Sequence, residues 1–197
     1  MSDSSVKQYC GLMQEIQNRV SAIRLILEEN VSLGFVNINA ETVYLQFRKI
    51  LELIAYASLV ANFKIYSAAR NDHSTEWHAK RFLKKIESLN AEFYPDPLKF
   101  EKVEEAPERL NFVGLEEGFL TREQFETLYD ECGAFMHSEN PYGDAHRYTD
   151  LLEQAPSWLM KITSLLNAHH IRLVDGESWL ILMPGEVAPI YMVLDKA

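Results

Sequence analysis

The stretch ILELIAYASLVANF, from Ile50 to Phe63, decides the fold because it is apolar on nearly every side. Its polar exceptions are Glu52, Ser58 and Asn62. It lies within residues 40–69, which contain neither Gly nor Pro and therefore predict one long helix. A helix that is apolar all round must be surrounded by other elements. The stretch therefore predicts the central helix of a helical bundle.

Amphipathic patterns on both sides of this stretch predict two neighbouring helices. Before it, residues 5–29 carry one apolar stripe at alternating spacings of four and three. The stripe consists of Tyr9, Met13, Ile16, Val20, Ile23 and Leu27. A loop with Gly34 and the residues Asn37-Ile38-Asn39 separates the two helices. After the stretch, the pattern predicts a helix that ends at Asn90. Its inward-facing residues are Ala79, Phe82, Ile86 and Leu89.

Further helical patterns follow residue 120. Thr121 and Gln124 form a capping box that predicts the start of a helix, and this helix stops just past His137. Its inward residues are Phe125, Leu128, Cys132 and Met136. A second apolar face runs from Leu151 to His169 across Pro156. It indicates either one kinked helix or two abutting helices.

The C-terminal part of the chain changes to β-rich runs. Residues 171–174, 178–183 and 187–194 are separated by Asp-Gly and Pro-Gly pairs, which predict an antiparallel meander with Pro189 on an edge strand. Residues 98–115 predict a short hairpin. We expect one domain of the mainly α (α+β) class. It has a four- or five-helix bundle over residues 1–170, with the hairpin, and a small C-terminal antiparallel β-meander over residues 171–197 packed on the bundle.

Two of these strands predict an assembly. The runs WLILM (residues 179–183) and IYMVL (residues 190–194) lack polar alternation, so we expect both of their faces to be covered. The bundle covers one face. The other is covered by the acidic segment of residues 98–115 or by a second copy of the chain, and the second alternative predicts a homodimer.

Composition excludes several classes of protein. No apolar run among the 197 residues is long enough to span a membrane, and the N-terminus lacks the order of a signal peptide. We therefore expect a soluble cytoplasmic protein without a membrane partner. The two cysteines, Cys10 and Cys132, are too few for a disulfide framework. Motifs for nucleotide loops, serine hydrolases and zinc enzymes are missing, so we expect neither a cofactor nor a metal.

The net charge of −10 is distributed unevenly. Residues 1–100 carry +1 and residues 101–197 carry −11, whereas the stretch Lys64–Lys85 carries +4. We expect this stretch to hold any polyanion such as RNA, unless its charges only solvate a helix face. The residues that we expect to bind are Trp77, His78, Lys80, Arg81, Lys84 and Lys85.

Two further places carry residues suited to chemistry. Glu52 must find a partner within its apolar stretch, and Arg48 and Lys49 lie one turn before it. This indicates either a structural ion pair or a lined site. His137 lies at the C-terminal end of the predicted amphipathic helix and precedes Asn140 and Tyr142, which are candidate binding residues. Its imidazole is either a general acid or base, or a cap for the end of the helix.

Three segments of the chain carry resemblances to known proteins. They are FRKILELIAYASLVAN (47–62), EWHAKRFLKKIESLNAEFYPDP (76–97) and LYDECGAFMHSENPYG (128–143). Over residues 40–143 they resemble an uncharacterised bacterial family. The long helices and the late histidine also resemble HEPN-like bundles, a resemblance that implies RNA as substrate and a homodimer. HEPN nucleases place an Arg before the His, but the corresponding positions before His137 hold Asp130, Glu131 and Cys132.

These observations leave three functions open. The leading expectation is a non-enzymatic binding or regulatory module of HEPN-like type, with an RNA or protein partner held around Arg48, Glu52 and the basic stretch. The first alternative is a metal-independent ribonuclease with His137, Arg48 and Glu52 as its catalytic residues. In that case Arg48 or Arg81 takes the place of the missing motif arginine. The second alternative is a structural partner subunit that works through its apolar C-terminal strands.

Overall fold

The computed structural model describes residues 2–28, 31–69, 79–103, 106–138, 142, 148–185 and 187–194. The expected mainly α class with a small antiparallel β part is confirmed. The described helices are α1 (Ser2–Leu27), α2 (Val36–Ala61), α3 (Phe63–Ala68), α4 (Ala79–Glu87), α5 (Arg122–Ala134) and α6 (Tyr148–Leu166). The described strands are β1 (Asp96–Val103), β2 (Ala106–Gly114), β3 (Ala168–Arg172), β4 (Ser178–Leu182) and β5 (Ile190–Leu194). None of these helices combines the length and the hydropathy needed to cross a bilayer.

Helix α2 is the central helix, as its apolar sequence predicts. It packs against α1, α4, α5 and α6, and ten of its residues are buried. The apolar stripe predicted for α1 is also confirmed. Its buried members are Tyr9, Met13, Ile16, Val20 and Ile23. Burial of these two apolar surfaces against each other stabilises the helical layer.

Helix α2 begins earlier than predicted. It starts at Val36, so Asn37-Ile38-Asn39, which we expected in a loop, are helical. The side chain of Asn39 turns back and its Oδ1 accepts a hydrogen bond from the backbone N–H of Leu33 at 2.8 Å. Asparagine commonly bonds to nearby backbone in this way, and the bond fixes the loop to the first turn of the helix.

Helix α2 also ends earlier than predicted. The expected single helix over residues 40–69 is divided at Asn62 into α2 and the short α3. Asn62 Nδ2 donates to the carbonyl of Ser58 at 2.9 Å, and Asn62 Oδ1 accepts from Asn90 Nδ2 at 2.9 Å. These bonds hold Asn62 in a non-helical geometry, which a pattern of apolar residues does not indicate.

The remaining helices combine confirmed and wrong predictions. The cap of α5 is confirmed, because the hydroxyl of Thr121 accepts from the backbone N–H of Gln124 at 3.2 Å. Helix α5 ends at Ala134, so Met136, which we expected to face inward, is exposed. Helix α6 is one helix with Pro156 inside it.

The apolar face that we extended to His169 ends at the last residue of α6, Leu166. His169 belongs to β3, where it is buried. The prediction that it continues a helix was therefore wrong. A buried residue satisfies a helical stripe and a strand equally, so periodicity alone does not locate the boundary between them.

The strands form one antiparallel sheet in the order β2-β1-β3-β4-β5. The predicted hairpin is confirmed as β1 and β2, and the predicted meander as β3 to β5, although β3 begins at Ala168 rather than Ile171. The hairpin joins the meander where Asp96 and Pro97 pair with His170 and His169. The sequence gives no sign of this junction, because it is a non-local pairing.

The two apolar strands differ in burial. The central residues of β4 are buried, as the lack of polar alternation predicts. β5 is an edge strand that follows Pro189, and most of its side chains are exposed. The acidic segment of residues 98–115, which we considered as a cover, lies at the opposite edge of the sheet. It therefore does not cover β5.

Candidate binding site

Arg48, near the middle of α2, is held against Tyr129 of α5. Its guanidinium carbon lies 3.3 Å from the centre of the Tyr129 ring. Nη1 donates to the carbonyl of Tyr129 at 2.9 Å, and Nε donates to Glu52 Oε1 at 3.1 Å. The ring face, a carbonyl and a carboxylate therefore hold the guanidinium together, which is the geometry that suits its planar group.

Glu52 is paired as the sequence predicts. Arg48 and Glu52 lie one helical turn apart, so their side chains share one face of α2. The other carboxylate oxygen, Oε2, accepts from Lys49 Nζ at 3.3 Å. The Arg48 and Glu52 side chains are only 19% and 22% exposed, so the pair is partly shielded from water. The expected contact of Glu52 with Arg48 and Lys49 is confirmed.

Lys80, at the start of α4, approaches Tyr129 from another side. Its ammonium group pairs with the carboxylate of Asp130 and lies 5.8 Å from the centre of the Tyr129 ring. Burial raises the pKa of Tyr129, while the positive charge of Arg48 opposes this rise. The phenol therefore stays neutral between two cations. We refer to Arg48, Lys49, Glu52, Lys80, Tyr129 and Asp130 as the Arg48–Tyr129 cluster.

Helix α4 presents positive charge to solvent beside this cluster. Its apolar residues Ala79, Leu83 and Ile86 are buried, and the helix packs against α2. The helical period then directs Arg81, Lys84 and Lys85 outward, and all three are exposed. Together with Lys80 these residues form what we call the basic face. Since Lys80 belongs to both groups, the basic face adjoins the Arg48–Tyr129 cluster.

His137 lies three residues beyond the end of α5 and is exposed. Among the described residues no hydrogen bond or ion pair connects it with Arg48 or Glu52. The carbonyls of Cys132 and Gly133 accept from the backbone N–H groups of Phe135 and Met136. This end of the helix is thus closed by backbone groups rather than by the imidazole.

The other candidate residues are placed as follows. Tyr142 is described and almost fully exposed. Trp77, His78 and Asn140 lie outside the described residues. In the described part of the chain, no group of three or more His, Cys, Asp or Glu side chains comes together as metal ligands.

The arrangement at the Arg48–Tyr129 cluster is suited to binding an anionic group at its rim, through the cations of α4.

Sequence reasoning missed Tyr129 as the centre of the cluster. Its only signal is its spacing, because it follows Phe125 by four residues and the two rings stack with centroids 6.1 Å apart. The buried pair of Tyr9 and His169 was also missed.

Comparisons of the chain with models of protein families, with curated proteins and with solved structures gave no match. The resemblance to HEPN-like bundles therefore stays a prediction.

Proposed function

We propose that the chain is a non-enzymatic binding module that docks an acidic segment of a partner protein on the basic face of α4. One observation carries the proposal. Arg81, Lys84 and Lys85 point to solvent from one side of α4, and the other side of this helix is buried. Opposite charges at such a surface guide association and contribute specificity. The Arg48–Tyr129 cluster holds the first turn of α4 in place through the ion pair of Lys80 with Asp130.

A binding role agrees better with this geometry than catalysis does. A nuclease of the HEPN kind requires an arginine and a histidine at one phosphate. Arg48 already binds Glu52 and the Tyr129 carbonyl, and His137 has no described contact with it. The net charge of −10 also opposes a polyanion as long as RNA everywhere except near the basic face.

The experiment measures binding of a fluorescently labelled short oligo-glutamate peptide by anisotropy at low and high salt. We expect saturable binding that weakens as salt rises, since the contacts are exposed charges. The variant Lys84→Glu/Lys85→Glu should lose most of this affinity. The variant Arg24→Glu/Lys99→Glu makes the same change of net charge on α1 and β1, and it should bind nearly as tightly as the parent.

Three results would contradict the proposal. In the first, the oligo-glutamate peptide fails to bind. In the second, the two double variants weaken its binding equally, so that only the net charge of the protein matters. In the third, the parent cleaves labelled single-stranded RNA and His137→Ala does not, which would favour the ribonuclease instead.

We also infer that a second copy of the chain covers β5. β5 is an edge strand, and its exposed side chains are Ile190, Met192, Val193 and Leu194. An exposed edge of this kind pairs readily with another strand. Two copies related by a two-fold axis place their β5 strands antiparallel, and antiparallel pairing is the pattern of this whole sheet.

A further inference from the structure

A cavity of about 770 Å³ lies at the C-terminal end of α2. It is bounded by the start of α1, the break at Asn62 and the turn between β3 and β4. The buried indole of Trp179 forms part of its wall, while Phe63 and Val174 at its rim are 60% and 57% exposed. Arg48 is about 20 Å away along α2. The cavity is therefore separate from the Arg48–Tyr129 cluster.

Three uncharged polar side chains of the wall already have partners in the protein. Trp179 Nε1 donates to Glu177 Oε1 at 2.8 Å, and both polar atoms of Asn62 are bonded. The hydroxyl of Ser67 donates to the carbonyl of Lys64 at 3.1 Å. A ligand therefore has little hydrogen bonding to gain from these three side chains, and the hydroxyls of Ser4 and Ser5 at the start of α1 are the other uncharged polar groups of the described wall.

Among the described residues, the cavity wall carries one cation, Lys64, and two carboxylates, Asp175 and Glu177. Lys64 Nζ lies 3.6 Å from Asp175 Oδ2, and both side chains are largely in water. Glu177 is the remaining charge of the wall, and it is bonded to the indole. An anionic ligand would lose its water beside two carboxylates and one ammonium that is already paired, which is unfavourable. A cationic ligand would meet carboxylates that Lys64 and the indole already engage. An uncharged apolar ligand would cover Phe63 and Val174 without this cost.

We propose that this cavity binds a neutral, largely apolar small molecule. Its volume falls within the range of roughly 300–1,000 Å³ that small-molecule sites occupy. The ligand places an aliphatic or aromatic body against Trp179, Phe63 and Val174. Any polar group that it carries points out to solvent at the rim.

The test is calorimetric titration of the full chain with octan-1-ol, octanoate and octylamine below their solubility limits. These probes share one alkyl chain and differ in the charge of the head group. We expect octan-1-ol to bind saturably at a single site and octanoate to bind at least about tenfold more weakly, because its head group would be desolvated beside Asp175 and Glu177. Octylamine should bind no more tightly than octan-1-ol, because both carboxylates already have partners. Failure of octan-1-ol to bind, equal binding of octan-1-ol and octanoate, or tighter binding of octylamine than of octan-1-ol would overturn the proposal.

Two variants locate the binding. Ser67→Trp places a bulky side chain in the wall, and Phe63→Ser removes the apolar rim; both should weaken octan-1-ol binding by about tenfold, since each removes a large apolar contact. Met160→Trp changes an exposed residue of α6 outside the cavity wall and should bind like the parent. Circular dichroism checks that each variant is folded. If folded Ser67→Trp and Phe63→Ser bind as tightly as Met160→Trp, the ligand sits elsewhere and the proposal is wrong.

Discussion

The hydroxyl of Tyr9 on α1 donates a hydrogen bond to Nε2 of His169 on β3 at 2.9 Å. Nδ1 of the same ring donates to the carbonyl of Leu166 at 2.9 Å. This pattern uses the neutral imidazole, with one nitrogen as donor and the other as acceptor. Burial is the main reason that the pKa of His169 falls from 6.5 to about 4. The pair therefore ties the helical layer to the sheet with a ring that resists protonation.

Folding stability should fall as the pH is lowered from 6.5 towards 4. In this window the unfolded chain binds a proton at His169 and the folded chain does not, so acid favours unfolding. At about 1.4 kcal/mol per pH unit, this group alone contributes a loss of the order of 3 kcal/mol. Urea unfolding of the parent and of His169→Gln across this window measures the effect. The variant should show a flatter dependence on pH.

His137→Gln is the matched control, because that histidine is exposed and has no described partner. Its free energy of unfolding near neutral pH should be close to that of the parent. If His169→Gln kept the full pH dependence of the parent, other groups would be responsible for it, and the proposed role of the buried ring would be wrong.

Loss of the Arg48–Glu52 pair should destabilise the fold. The pair is partly shielded, so we expect a cost of about 1–3 kcal/mol rather than the larger values of fully buried pairs. Arg48→Met should cost more than Glu52→Gln, because Arg48 also loses its bond to the Tyr129 carbonyl and its contact with the Tyr129 ring. Thermal melts of both variants measure these losses.

The double variant Arg48→Met/Glu52→Gln isolates the interaction between the two side chains. The pair Arg24 and Glu28 provides a comparison, since it has the same helical spacing on α1 but is exposed, with 3.7 Å between Arg24 Nε and Glu28 Oε1. Arg24→Met should change stability by less than about 0.5 kcal/mol. Equal melting of Arg48→Met and Arg24→Met would mean that the cluster is only a surface feature.

Changing Met192→Lys on β5 should dissociate the homodimer that we propose. A charge at this exposed position opposes pairing of two apolar edges. Light scattering should give twice the chain mass of 22.7 kDa for the parent and 22.7 kDa for the variant. Met160→Lys, on the exposed side of α6, should remain dimeric. A parent mass of 22.7 kDa at all concentrations would show that β5 stays unpaired.

Neither cysteine should react quickly with iodoacetamide in the folded chain near neutral pH. Burial raises the pKa of Cys10 to about 11, and burial is also the largest cause of the rise of Cys132 to about 12. The reactive thiolate is therefore scarce at both positions. Mass spectrometry should detect full modification only after unfolding in guanidinium. Fast modification of Cys132 in native buffer would contradict its burial.

The sequence predicts the parts of this fold that depend on local spacing. The all-round apolar stretch around Ile54 identified the central helix, and a four-residue separation paired Arg48 with Glu52. The N-cap at Thr121 is likewise a contact between residues three apart. In each case the physical cause lies within about one helical turn, so the order of residues is sufficient to show it.

The rest depends on contacts between distant segments. Tyr129 became the centre of the cluster because α5 packs against α2, and no local pattern records which ring meets Arg48. The break at Asn62 is held partly by Asn90, 28 residues later. His169 satisfied a helical stripe and lies in a strand, because burial is common to both. In these cases local spacing is compatible with more than one structure, and the tertiary contacts decide which one forms.

The hydrogen bond between Tyr9 and His169 also affects how the chain is made. Its two partners are 160 residues apart, and Trp179 adds an edge contact to the Tyr9 ring with centroids 5.9 Å apart. At a synthesis rate of roughly 5–20 residues per second, His169 is made roughly 10–30 seconds after Tyr9. During that time α1 can pack on α2, but the Tyr9 ring has no partner in the sheet. The helical layer of the nascent chain should therefore form before the sheet joins it.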